Sequence, residues 1–176
     1  MENSSEFYRS NKLGLLVAAS ILLAVSLGCS FNAGVGDFAK PEMPSTEQQN
    51  ALVKQTLKDF AKAIDSGDFS SFSSTVSKQF QAAGSEDKLK NSFQGMIDNK
   101  DVLVPIMQSA DSKTPQFTTP PSMENEGSNY TMRYKGNFPT DPLKTYFDFK
   151  YLWQESQWKL LSVGVNYDSD KDKQSN

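Results

Sequence analysis

The order of apolar and polar residues divides the 176-residue chain into three zones. Residues 13–29 form an apolar run that contains no charge. From residue 45 to residue 97, apolar side chains recur every three or four positions, which is the spacing of one helical face. From residue 114 onward they alternate with polar ones, which indicates strands. These zones predict an N-terminal leader followed by one α+β domain at residues 45–167.

Three helices are predicted in the second zone. Ser45 and Gln48 have the spacing of a capping box, and Gly67 and Gly84 are stop signals, each followed by a residue suited to an N-cap. The predicted inner faces carry Val53, Leu57, Phe60, Ala61 and Ile64, then Phe69, Phe72, Val76 and Phe80, then Leu89, Phe93, Met96 and Ile97. Pro105 is expected to end any helical extension through residues 102–104.

A curved antiparallel sheet of about four strands is predicted in the third zone, packed against the three N-terminal helices. Phe117 lies in a short segment between prolines, which is typical of an edge strand. Residues 129–135 and 145–153 alternate between apolar and polar side chains, as half-buried strands do. A break at residues 154–157 leads into a further strand at residues 158–167. The last two strands are therefore expected to form a hairpin.

The sequence leaves the register of that hairpin open. If Trp153 lies opposite Trp158, Leu160 joins the aromatic face of the sheet, and Leu161, Val163 and Val165 point outward. A one-residue bulge would reverse this orientation. Either arrangement leaves apolar groups of one strand exposed, which suggests either a second layer packed on the sheet or a homodimer formed through it.

The apolar run at residues 13–29 has three interpretations. It is shorter than the roughly 20 residues of a transmembrane helix. Arg9 and Lys12 before the run, with Ser26 and Gly28 near its end, fit a secretory signal that is cleaved before Cys29. A small residue followed by cysteine also resembles the signal of bacterial lipoproteins, in which the cysteine is lipidated and becomes the mature N-terminus. We favour the third interpretation because it alone explains a lone cysteine at this place.

The lipoprotein interpretation fixes the predicted organisation of the chain. Residues 1–28 would be a signal peptide, residues 29–44 a lipidated N-terminus and flexible linker, and residues 168–176 a disordered tail. Cys29 would carry the lipid that anchors the protein to a membrane, facing the periplasm or the exterior. Ser30 stands where such lipoproteins usually have Asp when they stay at the inner membrane. This favours the outer membrane in a host that has two.

Composition argues against several functions. The net charge is −3, so no basic face for nucleic acid is apparent. Histidine is absent and the one cysteine lies at the signal boundary, which removes the commonest general base, a thiol nucleophile and Cys/His metal sites. Asp168, Asp170 and Asp172 have the spacing that opens a calcium loop, but Lys173 stands where that loop needs Gly. The sequence predicts neither a metal nor a cofactor.

Three helices followed by a curved sheet is an order similar to that of the nuclear transport factor 2-like superfamily, a cone-shaped α+β fold. Residues 63–72, AIDSGDFSSF, resemble the family's helix, Gly-Asp turn and second helix, and residues 157–165, QWKLLSVGV, resemble its usual last strand. The pattern looks most like small secreted bacterial members without an assigned activity. Catalytic members use Asp, His or Tyr in the cone, and no such motif can be carried over to this chain.

Aromatic side chains gather on one predicted face of the sheet. They suggest a pocket for a small apolar ligand, lined by Tyr130, Met132, Tyr134, Phe147, Phe149, Tyr151 and Trp153. Packing of the same rings into a filled core is the alternative. The carboxylates give no catalytic pair. Asp65 and Asp68 suit helix caps, Asp59 lies off the apolar stripe of its helix, and Asp148 alternates onto the opposite face of the sheet.

The predicted function is that of a membrane-anchored lipoprotein of the cell envelope that binds a small apolar ligand or a protein partner and is not an enzyme. The alternative is a lyase, isomerase or hydrolase of the same fold that acts on a hydrophobic substrate. An open interior containing Asp or Glu would favour catalysis. A filled interior would favour a binding or structural role.

Overall fold

Six α-helices followed by five strands make up residues 40–168, the part of the chain that the computed structural model describes. The helices are α1 (Thr46–Ser66), α2 (Ser70–Thr75), α3 (Lys78–Ala83), α4 (Glu86–Ser92), α5 (Gln94–Asp98) and α6 (Lys100–Ser109), followed by a 3₁₀ turn at Ala110–Ser112. The strands are β1 (Gln116–Phe117), β2 (Ser122–Glu126), β3 (Asn129–Phe138), β4 (Lys144–Gln154) and β5 (Gln157–Asp168). The predicted signal peptide, the lipidation at Cys29, most of the linker and the tail beyond residue 168 lie outside the described residues.

Helix α1 begins and ends where the sequence predicts. The Ser45 hydroxyl accepts a hydrogen bond from the Gln48 backbone N–H at 3.3 Å, and the Gln48 side chain accepts one from the Ser45 N–H at 2.8 Å. This capping box satisfies two backbone donors at the helix start. Gly67 ends the helix in the left-handed conformation, with φ 68°, which glycine adopts without a steric penalty. The predicted inner face of α1 is buried.

The two further predicted helices are each divided into two. Between α2 and α3 the backbone N–H of Ser77 donates to the Leu160 carbonyl of β5 at 2.9 Å, and the Ser77 hydroxyl caps α3 by accepting from the Phe80 N–H at 3.2 Å. Contact with the sheet therefore takes a backbone donor that a continuous helix would have used. Phe93 separates α4 from α5 with φ −109° and ψ 14°, outside the usual helical range.

The expectation that Pro105 would end the helical zone is wrong, because Pro105 lies inside α6. Proline removes the hydrogen bond to the carbonyl four residues earlier, which is that of Asp101. Both residues are exposed, so water can solvate that carbonyl. Val104 and Met107 on the inner side of α6 are buried, and their packing compensates for the lost bond. The helices thus extend to the middle of the chain instead of staying within its N-terminal part.

The sheet is entirely antiparallel and has the order β1-β3-β4-β5, with β2 also paired to β3. Phe117 lies on the predicted edge strand and pairs with Gly136. The sequence analysis missed β2, so the sheet has five strands where about four were expected. The structure confirms an α+β fold with an antiparallel sheet. The cone of the nuclear transport factor 2-like superfamily remains a hypothesis.

A single bulge settles the register of the last hairpin. Trp153 pairs with Trp158 and Tyr151 pairs with Leu160, but Lys150 pairs with Ser162, so Leu161 is the extra residue on β5. Leu160 lies on the aromatic face because of the tryptophan pairing, and Val165 lies on that face because of the bulge. The unbulged register therefore describes the strand before Leu161, and the bulged register describes the strand after it. The expectation that Val163 and Val165 point outward is wrong.

The inner face of the sheet, which carries Met132, Tyr134 and Phe149, packs against the helices in one hydrophobic cluster. Across this interface the Thr56 hydroxyl of α1 and the Tyr151 hydroxyl of β4 form a buried hydrogen bond of 2.8 Å. Burial of each large apolar side chain in such a cluster contributes about 1.5–3 kcal/mol. The opposite face of the sheet carries ion pairs, among them Arg133–Asp148 and Lys150–Glu126.

Candidate functional site

Five of the seven residues predicted to line a ligand pocket form the packed interior. Met132, Tyr134, Phe147, Phe149 and Tyr151 have exposed fractions between 0% and 2%. The rings of Phe147 and Phe149 stack at 5.3 Å between centroids, and those of Tyr134 and Tyr151 meet edge to face at 5.6 Å. A ligand between them would have to displace core side chains. The geometry therefore favours the filled core over the pocket for these five residues.

The tyrosine hydroxyls inside the core have neutral partners. Tyr134 donates to the Met132 sulfur at 3.4 Å, and Tyr151 shares a hydrogen bond with Thr56. Burial raises the pKa of Tyr134 to about 12, and it raises the pKa of Tyr151 further still. A buried tyrosine without a cationic neighbour stays protonated near neutral pH. Neither hydroxyl is set up as a general base.

The carboxylates considered in the sequence analysis lie at the surface. Asp148 accepts two hydrogen bonds from the Arg133 guanidinium on the outer face of the sheet, at 2.7 and 2.6 Å, and this pairing lowers the pKa of Asp148. Asp68 accepts from the Ser70 N–H at 2.8 Å at the start of α2, although the N-cap position itself is that of Phe69 and not that of Asp68, which the sequence predicted. Asp65 is exposed, and Asp59 is half-buried beside Gln55. Within residues 40–167 no Asp or Glu side chain is buried.

The other two predicted pocket residues, Tyr130 and Trp153, are half-buried at one end of the sheet. Trp153 lines an open groove of about 580 Å³, which we call the tryptophan groove. Its walls come from the segment before α1, from α1 and from the β4–β5 hairpin, and its residues are Glu42, Met43, Pro44, Gln48, Leu52, Trp153, Ser156, Gln157 and Trp158. It is the candidate functional site of the described chain.

The hairpin turn places the two indoles side by side. Glu155 and Ser156 form a two-residue connection, and both have positive φ, 55° and 59°, as a type I′ turn requires. This tight turn sets Trp153 directly opposite Trp158. Their ring centroids are 5.1 Å apart and their planes are tilted by 59°. Neither indole N–H donates a hydrogen bond within the described residues, so both remain available to an outside acceptor.

Contacts with α3 hold the end of this hairpin in place. The Gln154 side chain accepts a hydrogen bond from the Lys78 backbone N–H at 3.0 Å and donates one to the Gln79 side chain at 3.2 Å. Glu155 forms ion pairs with Lys159 and Lys78, and these two cations lower the pKa of Glu155 to about 2. The indoles therefore stand on a braced hairpin whose Glu155 carboxylate is ionised at physiological pH and paired with two lysines.

The opposite wall is fixed by the start of α1. The Gln49 side chain donates to the Pro44 carbonyl at 2.7 Å, which holds the preceding segment against the helix. Leu52 is half-buried and packs against the hydrophobic core, while Met43 is 37% exposed at the edge of the groove. The groove is thus apolar along its floor and is formed by the residues that follow the predicted anchor.

Sequence reasoning placed Trp153 inside the cone and did not select Trp158 as a site residue. The available signal was the pair of tryptophans flanking a four-residue break, which positions them opposite each other in a tight hairpin. The structure shows other grooves as well, among them one of about 500 Å³ between α1 and α2 and two smaller apolar ones. One, of about 340 Å³, includes Phe80, Leu89 and Leu161, and the other, of about 230 Å³, is bordered by three lysines of α1.

Comparison of this chain with known proteins adds no relative. No protein-family model, no curated protein and no solved structure matches it significantly. Among residues 40–168 no helix has the length and apolar character needed to cross a bilayer. The same residues contain no cluster of three or more Cys, Asp or Glu side chains that could hold a metal ion.

Proposed function

We propose that this protein is a lipid-anchored lipoprotein of the cell envelope whose folded domain binds a partner through the tryptophan groove and catalyses no reaction. The observation that supports a binding role is the filled interior. The side chains of Tyr134, Phe149 and Tyr151 are buried in the core and leave no room for a substrate among them. Catalysis there would need a carboxylate in a perturbed environment, and the described interior offers none.

The groove has the properties of a binding surface. Two half-buried indoles provide large apolar faces together with polar N–H groups, a combination enriched where proteins meet apolar or amphipathic partners. Its volume of about 580 Å³ lies within the range of small-molecule sites. Its open shape also suits a short protein segment. A small apolar ligand and a protein partner therefore remain the two classes of partner for this site.

The anchoring part of the proposal rests on the sequence of residues 13–29. The apolar run with basic residues before it and Gly28-Cys29 at its end supports export and lipidation at Cys29. Lipidation would place the domain outside the cytosol, at a membrane surface. In a host with two membranes, Ser30 after the cysteine favours the outer one.

Intact mass of the membrane-extracted protein tests the anchor. We expect the mass of a chain beginning at Cys29 plus that of a lipid modification, and we expect a Cys29→Ser variant to keep residues 1–28 and to lack the lipid. A mature chain without added lipid mass would contradict the anchor. Native mass spectrometry of the same sample tests the partner class, because a co-purified small molecule lost in a Trp158→Ala variant identifies a ligand of the groove.

The enzymatic alternative predicts a different result. A lyase, isomerase or hydrolase working in the interior would require the core to open around Tyr134 and Tyr151. Soaking the protein with apolar compounds should then protect core amides from hydrogen exchange. Under the proposed function, protection appears only around the tryptophan groove.

A further inference from the structure

Both tryptophans of the chain lie in the tryptophan groove. Trp153 and Trp158 are half-buried, so each indole keeps an exposed edge. Indole rings are enriched at the interface between bilayer and water, because the ring prefers the apolar side and the N–H finds an acceptor among the headgroups. Two unbonded indole N–H groups at one end of a braced hairpin therefore fit a headgroup layer as well as they fit a protein.

The groove lies close to Cys29 in the sequence, which favours the headgroup layer over a protein. Its near wall includes Met43 and Pro44, and Lys40, where the described chain begins, is the eleventh residue after Cys29. Eleven residues span at most about 38 Å when fully extended, at roughly 3.5 Å per residue. A lipid on Cys29 would therefore keep this wall of the groove within about one bilayer thickness of the membrane surface. The effective concentration of headgroups at the groove would be high.

One of the exposed large apolar side chains of the domain lies at the tryptophan groove. Two large apolar side chains are classed as exposed in residues 40–168, and one of them, Met43, lies at the edge of the groove. The other, Val102, lies on α6 away from the groove. The groove wall carries one carboxylate, that of Glu42. A zwitterionic headgroup with a cationic amine suits this carboxylate, whereas a uniformly anionic surface would repel it.

We propose that the tryptophan groove docks onto the bilayer surface, with the indoles of Trp153 and Trp158 among zwitterionic phospholipid headgroups. This inference rests on the proposed anchoring through Cys29. The lipid brings the domain to the membrane, and the groove then fixes which side of the domain faces it. The sheet edge formed by β1 and β2 would stay free for other contacts.

Quenching of tryptophan fluorescence by brominated phospholipid tests the proposal directly, because all tryptophan emission of the chain comes from the groove. The full-length protein, purified from membranes in detergent, is reconstituted into phosphatidylcholine vesicles with and without bromine on the acyl chains. Flotation of the vesicles reports the anchor, and quenching reports the groove. We expect the protein to float, its emission to shift to the blue on reconstitution, and the brominated vesicles to quench it.

Two matched variants locate the contact. Met43→Glu places a charge at the edge of the groove, and Val102→Glu places the same charge at the other exposed apolar side chain. Both positions are at least 37% exposed, so neither change disturbs the core. We expect Met43→Glu to lower the ratio of docked to undocked protein by roughly tenfold, so that most of the quenching is lost. The emission of Val102→Glu should be quenched as much as that of the unaltered protein.

The remaining outcomes each overturn the proposal in a recognisable way. Protein that fails to float refutes the anchor and the docking with it. Protein that floats without quenching refutes the docking alone and leaves the anchored binding module standing. Emission that is already blue-shifted in detergent and is not quenched by the brominated vesicles would show that another part of the chain or a co-purified partner fills the groove. Equal losses in Met43→Glu and Val102→Glu would show that the contact is not made by the groove.

Discussion

The buried hydrogen bond between Thr56 and Tyr151 offers the sharpest test of the filled interior. It joins α1 to β4 across the centre of the domain at 2.8 Å, between residues 95 positions apart in sequence. Tyr151→Phe removes the phenolic oxygen, and Thr56→Val replaces the hydroxyl with a methyl group of similar size. The double variant removes both polar groups. These three changes form a double-mutant cycle.

The expected magnitudes follow from burial. Tyr151 is 1% exposed and Thr56 is 8% exposed, so a hydroxyl left without its partner has little access to water. A buried group orphaned in this way costs about 1–3 kcal/mol. We expect each single variant to lower the free energy of unfolding by about 1–2 kcal/mol. The double variant should lose less than the sum of the two, by about 1 kcal/mol, since it leaves no orphan.

Urea unfolding at pH 7 measures the cycle. With a denaturant slope of about 2 kcal/mol/M, a change of 1 kcal/mol moves the midpoint by about 0.5 M. Strictly additive losses would show that the two hydroxyls do not interact. An unchanged midpoint in Tyr151→Phe would show that the hydroxyl is solvated, as expected if the interior opened to a substrate. Either result would remove the main support for a binding role over catalysis.

Four further variants test the fold and its ionisable groups by urea unfolding. A Cβ added at Gly136 would lie 2.2 Å from the Gln116 carbonyl oxygen, whereas one added at Gly164 meets its nearest atom at 3.4 Å. Gly136→Ala should therefore lower the free energy of unfolding by about 1–3 kcal/mol and Gly164→Ala by less than about 0.5 kcal/mol. Equal losses would contradict the close approach of β1 to Gly136. Burial raises the pKa of Tyr134 to about 12 from an unfolded value of about 10. The contribution of the protonated Tyr134 hydroxyl to the free energy of unfolding is therefore fully present below about pH 10 and is lost as the pH rises towards about 12. Midpoints that fall in this window no more steeply than those of Tyr134→Phe would oppose that burial. Ser45→Ala removes the cap of α1 and should cost about 1 kcal/mol, while an unchanged midpoint would show that the cap is dispensable.

The elements that the sequence predicted correctly are those with local causes. The α1 helix has both of its boundaries in the sequence, at Ser45 and at Gly67, where capping and a left-handed turn depend on neighbouring residues alone. The edge position of Phe117 follows from the prolines around it. The β4–β5 hairpin follows from alternation on both sides of a short break. Each of these signals is complete within about ten residues.

The elements that the sequence did not predict depend on tertiary contacts. Strand β2 has the sequence SMENE, in which Met123 is the only apolar residue, and pairing with the edge of β3 is what makes it a strand. Pro105 lies within a helix because the buried side of α6 packs on the core. The bulge at Leu161 has no local signature either. It is set by the need to bury Leu160 and Val165 on the same face.

The sequence predicted only part of the candidate site, because the rest of it also depends on tertiary contacts. Aromatic alternation identified the side chains of β3 and β4 and could not distinguish a pocket from a packed core, since both have the same pattern. Trp153 was placed with the core residues because it continues their alternation. Its true neighbour, Trp158, lies across the turn. Pairing across a two-residue hairpin is therefore the feature that separates the surface aromatics from the buried ones.

Because of the bulge, a homodimer formed through the outer face of the sheet would have to bury charged side chains instead of an apolar row. That expectation assumed an outward apolar row at Leu161, Val163 and Val165, of which Val165 is 4% exposed and Val163 packs on the core. The outer face carries the Arg133–Asp148 pair and the pair of Lys150 with Glu126 at 2.6 Å. Removing such charges from water costs several kcal/mol per ion unless each is fully paired.

A charge reversal on that face separates a sheet-mediated dimer from docking through the groove. Lys150→Glu sets a carboxylate beside Glu126 and leaves the tryptophan groove untouched. If copies of the chain associate through the sheet, sedimentation velocity of the variant should show a lower association constant than that of the unaltered protein. If the groove alone makes the functional contact, sedimentation should not change and lipid quenching should stay as it was. A variant that keeps its association constant but loses quenching would contradict both arrangements, because it would connect the outer sheet face to the membrane contact.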